Sequence, residues 1–267
     1  MIDRVGLLRD LAALGVQAGD CVMVHASLRK LGLARSQFGA GGPELLLDAL
    51  EAAVGPSGTL VMILGSDYAY DWVNQRPVEA RARLLEDTPP FDARTACVLP
   101  EVGWFAEVFR LRLETVISSN PSGRFAARGR DAEALLSDQP WNDYYGPGSP
   151  LEKLCKRGGK VLRLGADPNT VTVLHYAEYV ARVAKKRRTR WDYVITSDGV
   201  PNHVWIDCLD DSEGIADWDE DYFAVITNAY VAQGRARGGC VGRAQSELLD
   251  AEDFVRFGAA WMEEMFR

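Results

Sequence analysis

The chain has 267 residues, 47% of them hydrophobic, and a formal net charge of −8, so it can bury a full core. That balance argues against a nucleic-acid surface and is compatible with a cationic ligand, while modest acidity is also common in cytosolic proteins. No apolar stretch is long enough to span a bilayer, and no basic segment precedes an apolar run at the N-terminus. The five cysteines are scattered without a C-x-x-C pair, as in a soluble cytoplasmic protein with packed, reduced thiols.

Ile2 to Leu14 carries apolar residues at helical spacing and reads as an amphipathic helix ended by Gly15. After the Gly19-Asp20 turn, the run CVMVHASL predicts a core strand ending near His25. Pro43 with Glu44 beside it opens a helix through Ala53, and TLVMIL follows a Gly-Pro-Ser-Gly turn as a second strand. Strand, helix and strand in this order predict a parallel crossover. From Gly65 to Ala96 the periodicity disappears, and the acidic, aromatic content reads as a binding loop. Pro100 to Arg110 reads as a helix, Thr115 to Ser118 and FAAR as strands, and Asp131 and Pro150 as starts of short helices. PWNDYYGPGS, Pro140 to Ser149, is a second aromatic, acidic loop.

Val161 to Arg182, VLRLGADPNTVTVLHYAEYVAR, organises the rest. A strand ends at Gly165, and Asp167-Pro168-Asn169 forms a turn. Asn169 or Thr170 then caps a helix running to about Val183. Thr172, His175, Glu178 and Tyr179 share one face of that helix, which places a histidine where open α/β sheets bind ligands. The basic run Lys185 to Arg190 reads as a solvated helix end. WDYVIT and HVWIDCL form a hairpin, an acidic segment leads into a helix ending at Ala232, and a last helix spans about Ala251 to Phe266. With no repeat and no linker-like break, one mixed α/β domain over 1–267 is expected.

Of the three histidines, His25 ends a buried strand, His203 sits in the hairpin as a structural residue, and His175 is the candidate for chemistry. His175 and Glu178 are spaced to chelate, yet no second ligand pair accompanies them, so no metal is expected. There is no G-x-S-x-G, and no cysteine has a base near it in sequence. Gly39-Ala40-Gly41-Gly42 lacks the third Rossmann glycine and a Walker lysine, but its backbone N–H groups ahead of a helix suit an anion.

Taken together, VHASLRKLG, the GG before ALEAAVGPSGTLVM, PPFDARTA, SSNP, GSPLEKL and KVLRLGADPNTVTVLHYAEY resemble the aminoglycoside 3-N-acetyltransferases. These belong to the antibiotic acetyltransferase family, unrelated in fold to the GNAT enzymes. Each motif alone is weak; six in order over nearly the whole chain are specific. The resemblance implies a single mixed α/β/α domain with a central, partly parallel sheet and long substrate-binding loops. It also implies acetyl-CoA as co-substrate and transfer to the 3-amino group of an aminoglycoside, giving antibiotic resistance. The alternatives are an acetyltransferase for another amine and a non-catalytic module binding CoA or a polycation. A monomer or homodimer is expected, with no nucleic-acid or membrane partner.

Residue by residue, the family's T-x-x-H element matches Thr172 to His175, which implies His175 as general base. H-[AS]-S-L matches His25, Ala26, Ser27 and Leu28, implying a wall of the acetyl-CoA site near the thioester. Lys30 to Gly42, with Lys30, Leu31, Gly41 and Gly42, is then expected to hold the pantetheine arm and phosphates. Ser118 lies in the element matching R-S-x-[HN]-P, although Ile117 stands where many relatives carry arginine. Asp67, Tyr68, Asp71, Asp143, Tyr144, Tyr145, Asp167 and Asp221 are expected to meet the polycationic sugar. An oxyanion donor is expected from Ser27 or a backbone N–H at the start of the Thr170 helix. Asp167, Glu178 and the Asp217 to Asp221 cluster are equal candidates for the acidic partner of His175.

Overall fold

Short apolar runs set between turn signals become the strands of a central sheet, and helices cover it on both faces. The structure, a computed structural model, describes residues 2–33 and 42–267. In chain order, α1 (Arg4–Leu14) is capped by Asp3, whose carboxylate accepts from the Gly6 N–H at 2.8 Å. Then come β1 (Cys21–Ala26), a one-turn α2 (Leu28–Leu31), α3 (Gly42–Val54) and β2 (Thr59–Ile63). α4 (Tyr68–Asn74), α5 (Val78–Leu85), α6 (Trp104–Leu111), β3 (Val116–Ile117), β4 (Phe125–Gly129), α7 (Ala132–Leu136) and α8 (Pro150–Lys156) follow. The last part comprises β5 (Lys160–Leu164), α9 (Leu174–Val180), β6 (Arg188–Ser197), β7 (Val200–Leu209), α10 (Tyr222–Ala232), β8 (Arg237–Val241), β9 (Ala244–Asp250) and α11 (Ala251–Met265).

Among the described residues the main sheet has seven strands in the order β3-β4-β2-β1-β5-β9-β8, with β6 and β7 as a separate hairpin. β1 pairs in parallel with β2 on one side and β5 on the other, and the outer pairings are antiparallel. The sheet is therefore mixed and partly parallel, as expected. Alternate residues of each strand feed opposite layers. Val22, Val24, Leu60 and Leu162 pack with α1, α3 and α6, whereas Met23, Val61, Val161 and Leu249 pack with α8 to α11 and the hairpin. Cys21 and Cys155 are buried free thiols in the second layer. Because β1 leads to β2 on one side and lies beside β5 on the other, the chain diverges at the carboxyl ends of these strands. Such a switch point leaves a crevice.

Several local expectations are corrected. The stretch Gly65–Ala96 is not an aperiodic loop: it contains α4 and α5. These helices span seven and eight residues, about two turns each, too short for periodicity to show. α4 buries Tyr70 and Val73, while the Arg81 guanidinium on α5 pairs with buried Asp192 of β6 at 3.1 Å. The helix carrying His175 is also shorter than expected. Pro168–Thr170 form a single 3-10 turn, Val171 leaves helical geometry at ψ 86°, and α9 ends before Ala181. Neither Asn169 nor Thr170 caps it, since its N-cap is Val173 with no side-chain bond. The basic run Lys185 to Arg190 ends inside β6 rather than closing a helix. β8 and β9 arise where the pattern predicts no element, from a Gly-rich strand paired with AQSELLD.

Candidate active site

The site grows from the end of β5. Gly165 turns there at φ +63, a conformation glycine adopts without strain, and a Cβ at this position would lie 2.7 Å from the Ala244 Cβ. The 3-10 turn then carries the chain to α9, where His175 Nδ1 lies 2.8 Å from Glu178 Oε2. Glu178 is only 1% exposed, and its other oxygen accepts from the Tyr222 hydroxyl. The Tyr145 ring stacks on the imidazole at 4.9 Å and 12°, and Phe223 tilts against it at 4.8 Å. A carboxylate can only accept, so Nδ1 carries the proton and Nε2 keeps the lone pair. Burial pulls the His175 pKa down, but the charge and hydrogen bond of Glu178, with Asp211 and Asp221, outweigh it and raise the pKa above the ordinary value.

Glu178 is thus the carboxylate in contact with His175. Of the other candidates, Asp167 pairs with Lys30, Asp217 pairs with Arg187, and Asp221 caps α10 by accepting from Phe223 N–H at 3.0 Å. Pairing with Lys30 holds the Asp167 carboxyl below the usual range.

Two cavities meet at His175. The larger, about 540 Å³, opens at the carboxyl ends of β1, β2 and β5 and is lined by His25, Ala26, Ser27, Met62, Ile63 and Phe105, with Tyr145, Asp167 and Thr172. The smaller, about 340 Å³, is lined by Glu178, Asp211, Glu213, Glu220 and Asp221 with Trp218, Tyr222 and Phe223, and, among the described residues, by no lysine or arginine. Asn169, His175 and Asp211 line both. Asp211 accepts from the Tyr144 hydroxyl on Oδ2 and from Trp191 Nε1 on Oδ1 at 3.2 Å. Burial raises its pKa, while the charge of His175 and the Tyr144 bond oppose that rise. A carboxylate whose donors among the described residues are neutral, in a carboxylate-rich cavity, has the chemistry to accept a cation. The sequence does not single out Asp211 because DDSEGIADWDEDY holds seven acidic residues. Its neighbour Asp210 is spent on a local turn, accepting from Ser212 and Glu213 N–H groups.

His25, Ser27, Tyr145, Asp167 and Thr172 therefore converge on the larger cavity with His175, and Asp221 and Glu178 on the smaller. His25 is 7% exposed, its Nε2 has no hydrogen-bond partner among the described residues, and burial, then the charge of Arg163, lower its pKa to about 4. His203 is bonded within the hairpin to Asp192 at 3.1 Å. Other expected contacts are corrected. Leu31 is fully buried in the α1–α3 layer, and Leu28 packs against the same layer, so both are core residues. Ser118 is buried, with its hydroxyl accepting from the Phe125 N–H at 2.9 Å across the β3–β4 pair, and Ile117 packs into the core. Asp67 caps α4, Asp71 accepts from Gln75 at 2.9 Å, and Tyr68 is 67% exposed; none lines either cavity. Asp143 is paired with Arg188 at 2.9 Å and bonded to the Tyr179 hydroxyl at 3.0 Å. Tyr144 is 1% exposed and supports Asp211 from behind. Lys30 reaches the site only through Asp167. Gly42 opens α3 so close to Leu33 that a Cβ would lie 1.7 Å from its carbonyl oxygen. Gly41 lies outside the described residues.

The chain is similar to known proteins over nearly its whole length. A family model described as aminoglycoside 3-N-acetyltransferase matches residues 23–263. The aminoglycoside N(3)-acetyltransferase III of Pseudomonas aeruginosa is 38% identical over 255 residues, covering 95% of this chain and 91% of the relative. The crystal structure of aminoglycoside acetyltransferase AAC(3)-Xa superimposes with a TM-score of 0.91 at 37% identity, covering 100% of this chain and 94% of that one. AAC-IIIb, solved as a binary complex with CoASH, gives 0.89 at 36% identity, covering 99% and 97%. The chain therefore belongs to the aminoglycoside 3-N-acetyltransferase family.

Proposed function

We propose that this enzyme transfers the acetyl group of acetyl-CoA directly to the 3-amino group of an aminoglycoside, with His175 as general base. The observation that carries this reading is the position of His175 on the wall shared by the two cavities. The larger cavity, with an apolar floor of Met62, Ile63 and Phe105, suits the thioester end of acetyl-CoA. The carboxylate-lined cavity suits a sugar bearing several ammonium groups. The relative solved with CoASH and the names of the other relatives support the choice of the two substrates.

The substrate amine must lose a proton before it attacks. His175 Nε2 takes that proton while Glu178 stabilises the imidazolium through Nδ1–H. The amine nitrogen bonds to the thioester carbon, the oxyanion forms, and its collapse breaks the C–S bond. Before collapse the imidazolium releases that first proton to solvent and takes the second from the attacking nitrogen, and it hands this one to the leaving thiolate, giving free CoA thiol and the neutral amide. Holding both substrates at one histidine adds the proximity term. For the oxyanion, the Ser27 N–H is already given to Leu164 at 2.9 Å and the Thr170 N–H to Asp167 at 3.1 Å. The Thr172 hydroxyl, on the wall of the larger cavity, takes that role in this reading.

The test is thiol release from acetyl-CoA on adding gentamicin, with NMR of the product to locate the acetylated nitrogen. Rapid release by the wild type, loss in His175→Ala and acetylation at the 3-position are expected. Wild-type turnover in the variant would overturn the role of His175, and acetylation at another position would overturn the assigned acceptor.

A further inference from the structure

The imidazole of His175 does not stand on Glu178 alone. Tyr222, the first residue of α10, donates its hydroxyl to Glu178 Oε1, while Oε2 faces His175 Nδ1. The same phenol oxygen accepts from the Ile215 N–H at 3.1 Å, so it bridges the segment lining the acidic cavity to the buried carboxylate. Its ring is fixed edge-on against Phe223 at 5.2 Å and Phe266 at 5.2 Å. Gly214 presses on it so closely that a Cβ there would lie 2.6 Å from the ring. Phe223, the next residue, covers His175 itself. One helix start thus holds both members of the histidine–carboxylate pair.

We infer that Tyr222 is a positioning residue that sets the basicity of His175 through Glu178. The inference rests on the reading of His175 as general base. A carboxylate that accepts a hydrogen bond from a phenol has less negative charge to offer its other partner. The groups facing His175 are Glu178 on its own helix, Asp211 after β7, Asp221 and Tyr222 on α10, and Tyr145 from the loop before α8. Lys186 lies beside Glu178 and donates to the Tyr179 carbonyl. Of these, only Tyr222 bonds the carboxylate oxygen that His175 does not use. Removing its hydroxyl strengthens the hold of Glu178 on the imidazolium, so a larger share of His175 is protonated and unable to act as base at a given pH.

The experiment measures kcat/KM for gentamicin against pH in the wild type, in Tyr222→Phe and in a protein carrying 3-fluorotyrosine at position 222. Tyr222→Phe should move the acid limb up by about one pH unit, lowering the rate about tenfold below the limb. KM for acetyl-CoA, whose cavity Tyr222 does not line, should stay constant. 3-Fluorotyrosine, nearly isosteric and a stronger donor, should move the limb the other way. In a Glu178→Gln background neither change should shift the limb. If the limb stays in place with the fluorinated residue, or if Tyr222→Phe lowers only the melting temperature, Tyr222 is merely structural and the inference fails. Loss of the His175 reading itself shows separately, as retained turnover in His175→Ala.

Discussion

Asp211→Asn removes one negative charge from the wall shared by the two cavities while nearly preserving shape. In the native site its two oxygens receive neutral donors, Tyr144 and Trp191, and among the described residues no lysine or arginine lines the acidic cavity. In the proposed function an ammonium group of the aminoglycoside supplies a cation there. Charge-assisted contacts of this kind contribute about 1.5–3 kcal/mol, which converts to roughly a 10- to 100-fold rise in KM at about 1.4 kcal/mol per decade. KM for acetyl-CoA should hardly change. Asp211 also helps to raise the His175 pKa, so its loss should move the acid limb of kcat/KM to lower pH. Asp143→Asn is the control: that carboxylate is paired with Arg188 and lines neither cavity. The assay is initial-rate thiol release, varying gentamicin at saturating acetyl-CoA and the reverse, at two salt concentrations. Salt should weaken gentamicin binding in the wild type more than in Asp211→Asn, because screening acts on the removed charge. An unchanged gentamicin KM in Asp211→Asn, or an equal rise in Asp143→Asn, refutes the acidic-receptor reasoning.

His175→Ala should lower kcat by about 10²–10⁴-fold with little change in acetyl-CoA binding, followed by titration calorimetry; a decrease of only a few-fold contradicts the role. Because the folded pKa of His175 is raised, kcat/KM in the wild type should rise with pH through a limb above about 6.5, and a limb at lower pH counts against the Glu178 pairing. For His25 the sign is opposite. Its folded pKa of about 4 means the unfolded chain takes up the proton first as pH falls. Stability should therefore drop between about pH 6.5 and 4, by on the order of 3 kcal/mol, and His25→Gln should flatten that dependence in urea melts. Arg124 is fully buried and donates to the carbonyls of Gly65, Ser66, Ala93, Ala96 and Cys97. Arg124→Met should destabilise the fold by more than about 3 kcal/mol, and a loss below about 1 kcal/mol by denaturant titration would contradict that structural role.

The sheet core, the parallel crossover and the strand-to-helix site around His175 were legible in the sequence because each depends on short-range signals. CVMVHA and TLVMI are buried on both faces, Gly165 needs a positive φ, and T-x-x-H sits within one turn of α9. The helices between Gly65 and Ala96 were not legible, because two turns of helix are stabilised by docking against β6 rather than by their own periodicity.

Which carboxylate serves which purpose was decided only by tertiary structure. Sequence placed Asp167, Glu178 and the Asp217 to Asp221 acids on equal terms. Packing then turned Glu178 toward His175, spent Asp167 on Lys30, Asp217 on Arg187 and Asp221 on a helix cap, and left Asp211 facing both cavities. Likewise Asp67 and Asp143, acidic and in loops on paper, are used by local hydrogen bonds and an arginine. A carboxylate's availability depends on donors contributed by distant segments, and those donors are brought to it only when the chain has folded.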